Sequence, residues 1–269
     1  MVKLDESDLR TFSQKSSKGN QLKFKKNDYW YKADYTGYEG LSEYIVSEFL
    51  RHSNLSDNEY VFYETEEIHY GESVFRGCRS HNFLSPGKQI ITLERLFKNQ
   101  TGESLYKSVW SIREDNEQRL RFLVDRVESI TGLIGFGSYM AKLMTIDAFF
   151  LNEDRHLHNI AVIMTETDDY ELCPIFDQGA ALLADTTLDY PLNADLYDLY
   201  PKVKPKTFHA DFDEQLDAAE KLYGDTIHFS ITKKQVEELL EKETHYPEDI
   251  KVRVRDILFH QMEKYGYLV

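Results

Sequence analysis

The sequence predicts an α+β fold in two lobes: a small antiparallel-sheet lobe with one helix over residues 1–95, then a larger helical lobe over residues 96–269. Three observations predict it. Alternating, β-rich segments crowd the first third of the chain. Helical periodicity dominates the remainder. Within that remainder, one strand-like pair follows an unusually polar stretch, "FFLNEDRHLHNIAVI" (Phe149–Ile163), whose apolar flanks enclose Asn, Glu, Asp, Arg, two His and another Asn. A polar loop held between two core elements is where reactive groups are commonly mounted.

Each element follows in order. "NQLKFKKNDYWYKADY" alternates on both sides of Asn27-Asp28, which reads as a hairpin with a polar turn. "EGLSEYIVSEFLRHS" places Leu41, Tyr44, Ile45, Glu48 and Phe49 at helical spacing and predicts a helix from about Glu39 to His52. "NEYVFYETEEIHYGESVFRGCRS" and "GKQIITLERLF" return to strand composition, completing a twisted sheet with the helix inserted after its second strand. The character then changes. "DNEQRLRFLVDRVESITGL" is an amphipathic helix with Leu120, Leu123, Val124 and Val127 on one stripe, and "GSYMAKLMTIDAFFLN" is a more apolar, central helix. "NIAVIMTETDDYELCPIF" reads as two short strands around an acidic turn. Three more helical patterns close the chain: "DFDEQLDAAEKLY", "TKKQVEELLEKE" with Thr232 as cap, and "PEDIKVRVRDILFHQMEKYG" with Pro247 in its first turn. The Pro-bearing "KVKPKTFH" reads as a loop.

Bulk properties limit the functions available. At 269 residues and 41% hydrophobic, the chain can bury a real core and lies near the size at which single cores split. It has no run of ~18 apolar residues, so no membrane span is expected. "MVKLDESDLRTFSQKSSKGNQ" lacks the apolar stretch of a signal peptide, so the expectation is a cytoplasmic protein, or one exported without a cleavable signal. Cys78 and Cys173 lie in no CxxC and beside no His pair, and are expected to be reduced, buried thiols. A formal net charge of −15 argues against direct nucleic-acid binding, and no basic helix is suited to a membrane surface. Lysines nonetheless cluster between Lys15 and Lys32, as a solvated face or a local phosphate site.

The polar loop carries the chemistry. Asp154 and Asn159 stand five residues apart just before a strand, and Asp177 ends the next strand in "PIFDQG". A strand–turn–strand would bring Asn159 and Asp177 together as hard oxygen ligands of the kind Mg²⁺ takes alongside phosphate oxygens and water. Asp154 would then be a second carboxylate, placed to accept a proton from an incoming hydroxyl. Phosphoryl transfer needs these parts: a positioned metal, an oriented nucleophile and neutralised phosphate charge. A nucleotide site of this type also needs a strand Lys and a helix Glu. "WYKAD" supplies Lys32, and "LSEYIVSEF" supplies Glu43 and Glu48. Upstream, "SSKGNQLK" is a small flexible segment whose backbone N–H groups could cover phosphates, although it is neither GxGxxG nor a Walker motif.

Together, "SSKGNQLK", "WYKAD", "SEYIVSEFL", "FFLNEDRHLHNI", "FDQG" and "KPKTFHADFDEQ" resemble the HipA-like serine/threonine kinases, and the resemblance runs over nearly the whole chain. It is nearest to their compact single-chain members and implies a protein-kinase-like bilobal fold using ATP and Mg²⁺. Carried over by position, Asp154 would be the catalytic base and His156 would contact the γ-phosphate. Asn159 and Asp177 would hold Mg²⁺. Lys32 would contact the α- and β-phosphates of ATP, with Glu43, in preference to Glu48, as its helix partner. Ser17, Lys18, Gly19, Asn20 and Gln21 would cover the phosphates, and "TLERLF" (Thr92–Phe97, including Glu94) would pass the adenine. The family inactivates itself by autophosphorylation of a phosphate-loop Ser, which would fall on Ser13, Ser16 or Ser17, with Ser16 first. The expected substrate is a Ser or Thr hydroxyl on a protein, and the family's setting adds a small DNA-binding antitoxin as a partner.

This sequence also departs from eukaryotic kinases. Asn152-Glu153 replaces His-Arg before Asp154, Gln178 replaces the Phe of Asp-Phe-Gly, and no Ala-Pro-Glu follows. Because "DRHLHN" is also similar to the catalytic loop of phosphoinositide kinases, a small-molecule or lipid kinase is a second reading. A nucleotide-binding pseudokinase is a third. Asp147, alone in an apolar helix, should find donors in the polar loop or Arg155, because burying it unpaired would be costly.

Overall fold

The computed structural model describes residues 1–10, 21–113, 115–224 and 227–269. The expected phosphate-covering residues Ser17, Lys18, Gly19 and Asn20, and the serines Ser13 and Ser16, lie outside the described residues. In chain order the elements are β1 (Val2–Leu4), β2 (Lys23–Lys26), β3 (Tyr29–Ala33), α1 (Glu39–Arg51), β4 (Tyr63–Tyr70), β5 (Ser73–His81), β6 (Gln89–Thr92), α2 (Leu93–Thr101), α3 (Leu105–Ser111), α4 (Asn116–Thr131), α5 (Phe136–Phe150), β7 (Ala161–Met164), β8 (Tyr170–Leu172), α6 (Leu196–Leu199), α7 (Phe212–Tyr223), α8 (Lys233–Lys242) and α9 (Glu248–Lys264). None of these helices is long and apolar enough to cross a membrane. Cys78 and Cys173 are both free and buried.

The chain divides into two compact units, each built from more than one segment. The first comprises Met1–Phe83, Phe176–Val203 and His228–Val269; the second comprises Leu84–Ile175 and Lys204–Ile227.

The first unit is built on a five-stranded sheet ordered β1-β4-β5-β3-β2. The β2–β3 hairpin turns at Asn27, whose positive φ of 54° suits an Asn, as its sequence promised. β1, which sequence alone did not reveal, pairs with β4 in parallel, so the sheet is mixed rather than antiparallel throughout. Alternation in β3 buries Tyr31 and Ala33 with Leu4, Phe24 and Ile68. Lys32, of opposite parity, pairs with Cys78 of β5. Helix α1 buries Leu41, Ile45 and Phe49 completely, each contributing about 1.5–3 kcal/mol of apolar burial. Gly40 allows its close approach to the sheet, and Gly77 allows β5 to lie close to the backbone of β3. A Cβ on Gly40 of α1 would lie 2.4 Å from the carbonyl carbon of Gly77 on β5, and one on Gly77 would lie 2.1 Å from the Lys32 carbonyl oxygen.

The second unit centres on α5, where thirteen of fifteen residues are buried, as its uniform hydrophobicity required. Beside it, β6-β7-β8 forms a separate antiparallel sheet, with β7 and β8 joined by the acidic turn. Two expectations change here. β6 joins this small sheet instead of the larger one. "LERLF" is helical, because Leu93, Leu96 and Phe97 recur at i, i+3 and i+4 and Thr92 caps the helix by accepting the Arg95 N–H. In the first unit Pro247 is the N-cap of α9 and not a first-turn residue.

Candidate active site

In the first unit, the Lys32 ammonium sits between two carboxylates. It donates to Glu43 Oε1 in a short contact and to Asp177 Oδ1 at 2.7 Å, and lies 5.2 Å from the Tyr63 ring centre. Burial opposes its charge, but the Asp177 and Glu43 carboxylates outweigh burial and hold its pKa well above the ordinary lysine value. Glu43 is 1% exposed, and its Oε2 accepts the Gln178 N–H at 2.7 Å. Burial, with Asp177 nearby, raises its pKa against the pull of Lys32. Glu48, the rival helix acid, pairs with Arg51 at 2.6 Å.

Asp177 has φ +66°, a left-handed conformation uncommon outside glycine, which turns the chain sharply between Phe176 and Gln178. The following segment is fastened to α1 and the turn before it. Ser42 donates to the Gln178 and Ala181 carbonyls at 2.8 and 3.1 Å. The Tyr38 hydroxyl donates to the Leu182 carbonyl at 2.6 Å, and the Thr187 N–H donates to the Thr36 carbonyl at 3.0 Å. At the N-terminus of α1, Asp34 accepts the Gly40 N–H at 2.6 Å and the Tyr246 hydroxyl at 2.7 Å. Burial first, then the neighbouring Glu39 charge, push the Asp34 pKa up to about 7.

The polar loop belongs to the second unit. Helix α5 ends at Leu151, whose φ of 57° reverses the chain. Asp147, one turn earlier and fully buried, accepts from Arg155 Nε at 3.2 Å on both oxygens and from Asn152 Nδ2 at 3.1 Å, the donors the sequence required of it. Burial raises its pKa to about 6 despite Arg155. Thr207 donates to the Arg155 carbonyl at 2.7 Å, and the Leu93 and Glu94 N–H groups donate to the Ile160 and Leu157 carbonyls at 2.9 and 3.1 Å. The loop is therefore held from three sides.

On that frame Asp154 is largely shielded, its side chain 13% exposed, and Lys206 lies 3.2 Å from its Oδ1. Asn159 Nδ2 donates to the Asp154 carbonyl at 2.8 Å. Committing the amide nitrogen in this way leaves the amide oxygen as the donor atom Asn159 can offer a cation. His156 Nδ1 accepts the His158 N–H at 3.3 Å, and burial lowers its pKa, so the ring is neutral at pH 7.

Two further residues expected at ligand contacts are placed as follows. Glu94 is buried in α2, where its carboxylate accepts the Tyr106 N–H at 2.9 Å at the start of α3; Thr92–Phe97 is not an extended connector. Gln21 is half-buried just before β2. Sequence reading missed Lys206, although the alternating lysines of "KVKPKTFH" were a signal. It also missed Asp34, two residues after Lys32 and conspicuous only once α1 is packed.

Among the described residues no group of three or more His, Cys, Asp and Glu could hold a metal ion. Mg²⁺ bound by one carboxylate, one amide oxygen, water and phosphate oxygens needs no such group, and Asp177 and Asn159 are residues of those two types.

The fold is kinase-like. The chain is similar to the crystal structure of a Helicobacter pylori proinflammatory kinase, CtkA, with a TM-score of 0.60 and 14% sequence identity over 95% of this chain and 90% of that one. At that identity the likeness carries the fold. No family model matches the sequence, and no curated protein matches it significantly.

Proposed function

We propose that the protein is an ATP- and Mg²⁺-dependent phosphotransferase acting on Ser or Thr hydroxyls of a protein substrate, of the HipA-like type its motifs resemble. The observation that carries this reading is the Lys32 ammonium held between Glu43 and Asp177. A buried cation secured by a helix acid, beside a carboxylate on a strained turn, suits the binding of nucleotide phosphates and their metal. The kinase fold of the structural neighbour supports it.

In this reading Lys32 binds the α- and β-phosphates, and Glu43 fixes its position. Asp177 and Asn159 are the residues that would hold Mg²⁺, which when bound neutralises phosphate charge. Asp154 orients the substrate hydroxyl and takes its proton as the hydroxyl oxygen bonds to the γ-phosphorus. The bond from that phosphorus to the β,γ-bridging oxygen breaks, and ADP leaves with the electron pair. His156, neutral, donates a hydrogen bond to the γ-phosphoryl group. The segment Ser17–Gln21 covers the phosphates, and Ser13, Ser16 or Ser17 receives phosphate in cis or from a second copy. A small DNA-binding antitoxin stays a proposed partner.

The similarity of "DRHLHN" to phosphoinositide kinases keeps a small-molecule acceptor as the second reading. The test is phosphate transfer from Mg-ATP by wild type, Asp154→Ala and Asp177→Ala. Each variant should lose about 10³-fold in rate. Asp177→Ala should also weaken Mg-ATP binding, and Asp154→Ala much less. Wild-type turnover in both variants would sink the assignment. Transfer to inositol lipids or a metabolite, with none to protein, would select the second reading.

A further inference from the structure

Lys206 stands out in the second unit. Its side chain is 46% exposed, yet its ammonium reaches Oδ1 of Asp154 at 3.2 Å. With its cation this open to water, the pair contributes little to stability. Its backbone, by contrast, leads directly into residues that are firmly held. Thr207 and Phe208 are fully buried. Thr207 donates to the Arg155 carbonyl at 2.7 Å. The Phe208 N–H donates to Gln215 Oε1 at 2.9 Å, and the Phe208 carbonyl accepts from Arg119 Nη1 at 3.0 Å. The lysine therefore combines a fixed root with a solvated head, on a stem of rotatable bonds, beside the proposed base, an arrangement suited to following a moving charge.

The loop itself offers no comparable cation. Arg155 is 1% exposed and committed to Asp147. His156 carries no positive charge in this geometry, because its Nδ1 accepts the His158 N–H at 3.3 Å. Transfer of a phosphoryl group spreads negative charge over its outer oxygens, and a cation positioned there lowers the barrier.

We propose that Lys206 is a catalytic residue whose ammonium passes from Asp154 to the γ-phosphoryl oxygens of bound ATP and stabilises them through transfer. This rests on the phosphotransferase reading. It assigns to Lys206 the positive charge that His156 lacks, leaving His156 a neutral hydrogen-bond donor. With nucleotide absent, the same ammonium guards the Asp154 carboxylate.

The test compares wild type, Lys206→Met, Lys206→Arg and His156→Gln. Titration calorimetry gives the affinities for Mg-ATP and Mg-ADP, and steady-state kinetics gives kcat and KM for ATP. Lys206→Met should lower kcat about 10²-fold. It should reduce the preference for ATP over ADP about tenfold or more, while leaving ADP affinity within about twofold, because only ATP carries the contacted group and a charged contact outweighs the neutral one from His156. Lys206→Arg should recover part of both losses. His156→Gln should lower the ATP preference much less than Lys206→Met, because it removes no charge. The urea midpoint of Lys206→Met should stay close to wild type, since the Lys206 ammonium is solvated. Wild-type kcat and ATP preference in Lys206→Met would overturn the role of Lys206 while leaving the phosphotransferase intact. Failure of the wild-type protein to bind Mg-ATP and to transfer phosphate would overturn both.

Discussion

Glu43 accepts the backbone N–H of Gln178 at 2.7 Å, joining helix α1 to the residue that follows Asp177, 135 positions along the chain. Its other oxygen holds Lys32. One buried carboxylate thus sets the position of the strand lysine and of the turn that presents Asp177. Fixing such groups before a ligand arrives avoids reorganisation cost when charge must be stabilised.

Glu43→Gln should retain the acceptor for Gln178 but remove a charge from Lys32. Lys32 should then be drawn onto Asp177, away from a nucleotide. Turnover should fall about 10²-fold, and stability should fall by roughly 2–4 kcal/mol, as when one partner leaves a buried pair. Chemical denaturation and initial-rate assays check both. Undiminished turnover would mean that Lys32 is positioned without Glu43.

Gly40→Ala tests the close approach of α1 to β5. The added methyl group would meet Gly77 backbone at 2.4 Å, and backbone cannot swing aside as a side-chain tip can. The cost should reach about 3 kcal/mol, the upper part of the overpacking range. Activity should fall with it, because displacing α1 moves Glu43. An unchanged urea midpoint would refute the contact.

Asp34 should make stability depend on pH. Its pKa is about 7 in the folded chain, against about 4 for an ordinary Asp, so folding favours the protonated form. Its contribution is complete below the unfolded value and is lost as pH rises through the folded value. Glu39 raises this pKa further, while Tyr246, the Gly40 N–H and Arg76 pull it down. Asp34→Asn should therefore gain on wild type by roughly 1–3 kcal/mol between pH 5 and pH 8. Thermal melts across that range provide the measurement, and a constant gap between the two proteins would be the contrary result.

Incubation with Mg-ATP followed by peptide mapping should place phosphate on Ser16, or on Ser13 or Ser17 beside it. Asp154→Ala should acquire none. All three serines unmodified after long incubation would eliminate the self-phosphorylation proposal.

Much of the fold and of the side-chain pairing was legible because its signals are local. The β2–β3 hairpin announces itself through alternation around Asn27, and α1 through the spacing of Leu41, Ile45 and Phe49. Asp147 in an apolar helix demanded a buried donor nearby in sequence, and Arg155 is eight residues away. Glu43 was favoured over Glu48 by its position in the motif, and Glu43 is the acid placed at Lys32. "TLERLF" misled because β-branched residues run directly into it, masking a helical triplet shorter than two turns.

What the sequence determined by itself was a mixed sheet-and-helix chain with a polar loop between apolar elements, and the residues Lys32, Asp154, Asn159 and Asp177, whose types suit the phosphate chemistry proposed for them. Periodicity and motif spacing act over a few residues and survive in one dimension. Tertiary structure alone decided the parallel pairing of β1 with β4, the transfer of β6 to the small sheet, the hold of Glu43 on Gln178 and the approach of Lys206 to Asp154. Those pairings join residues from 52 to 135 positions apart in the two hydrogen-bonded cases. They exist only because burying apolar faces brings distant polar groups within reach, where each must find a partner or bear the cost of desolvation.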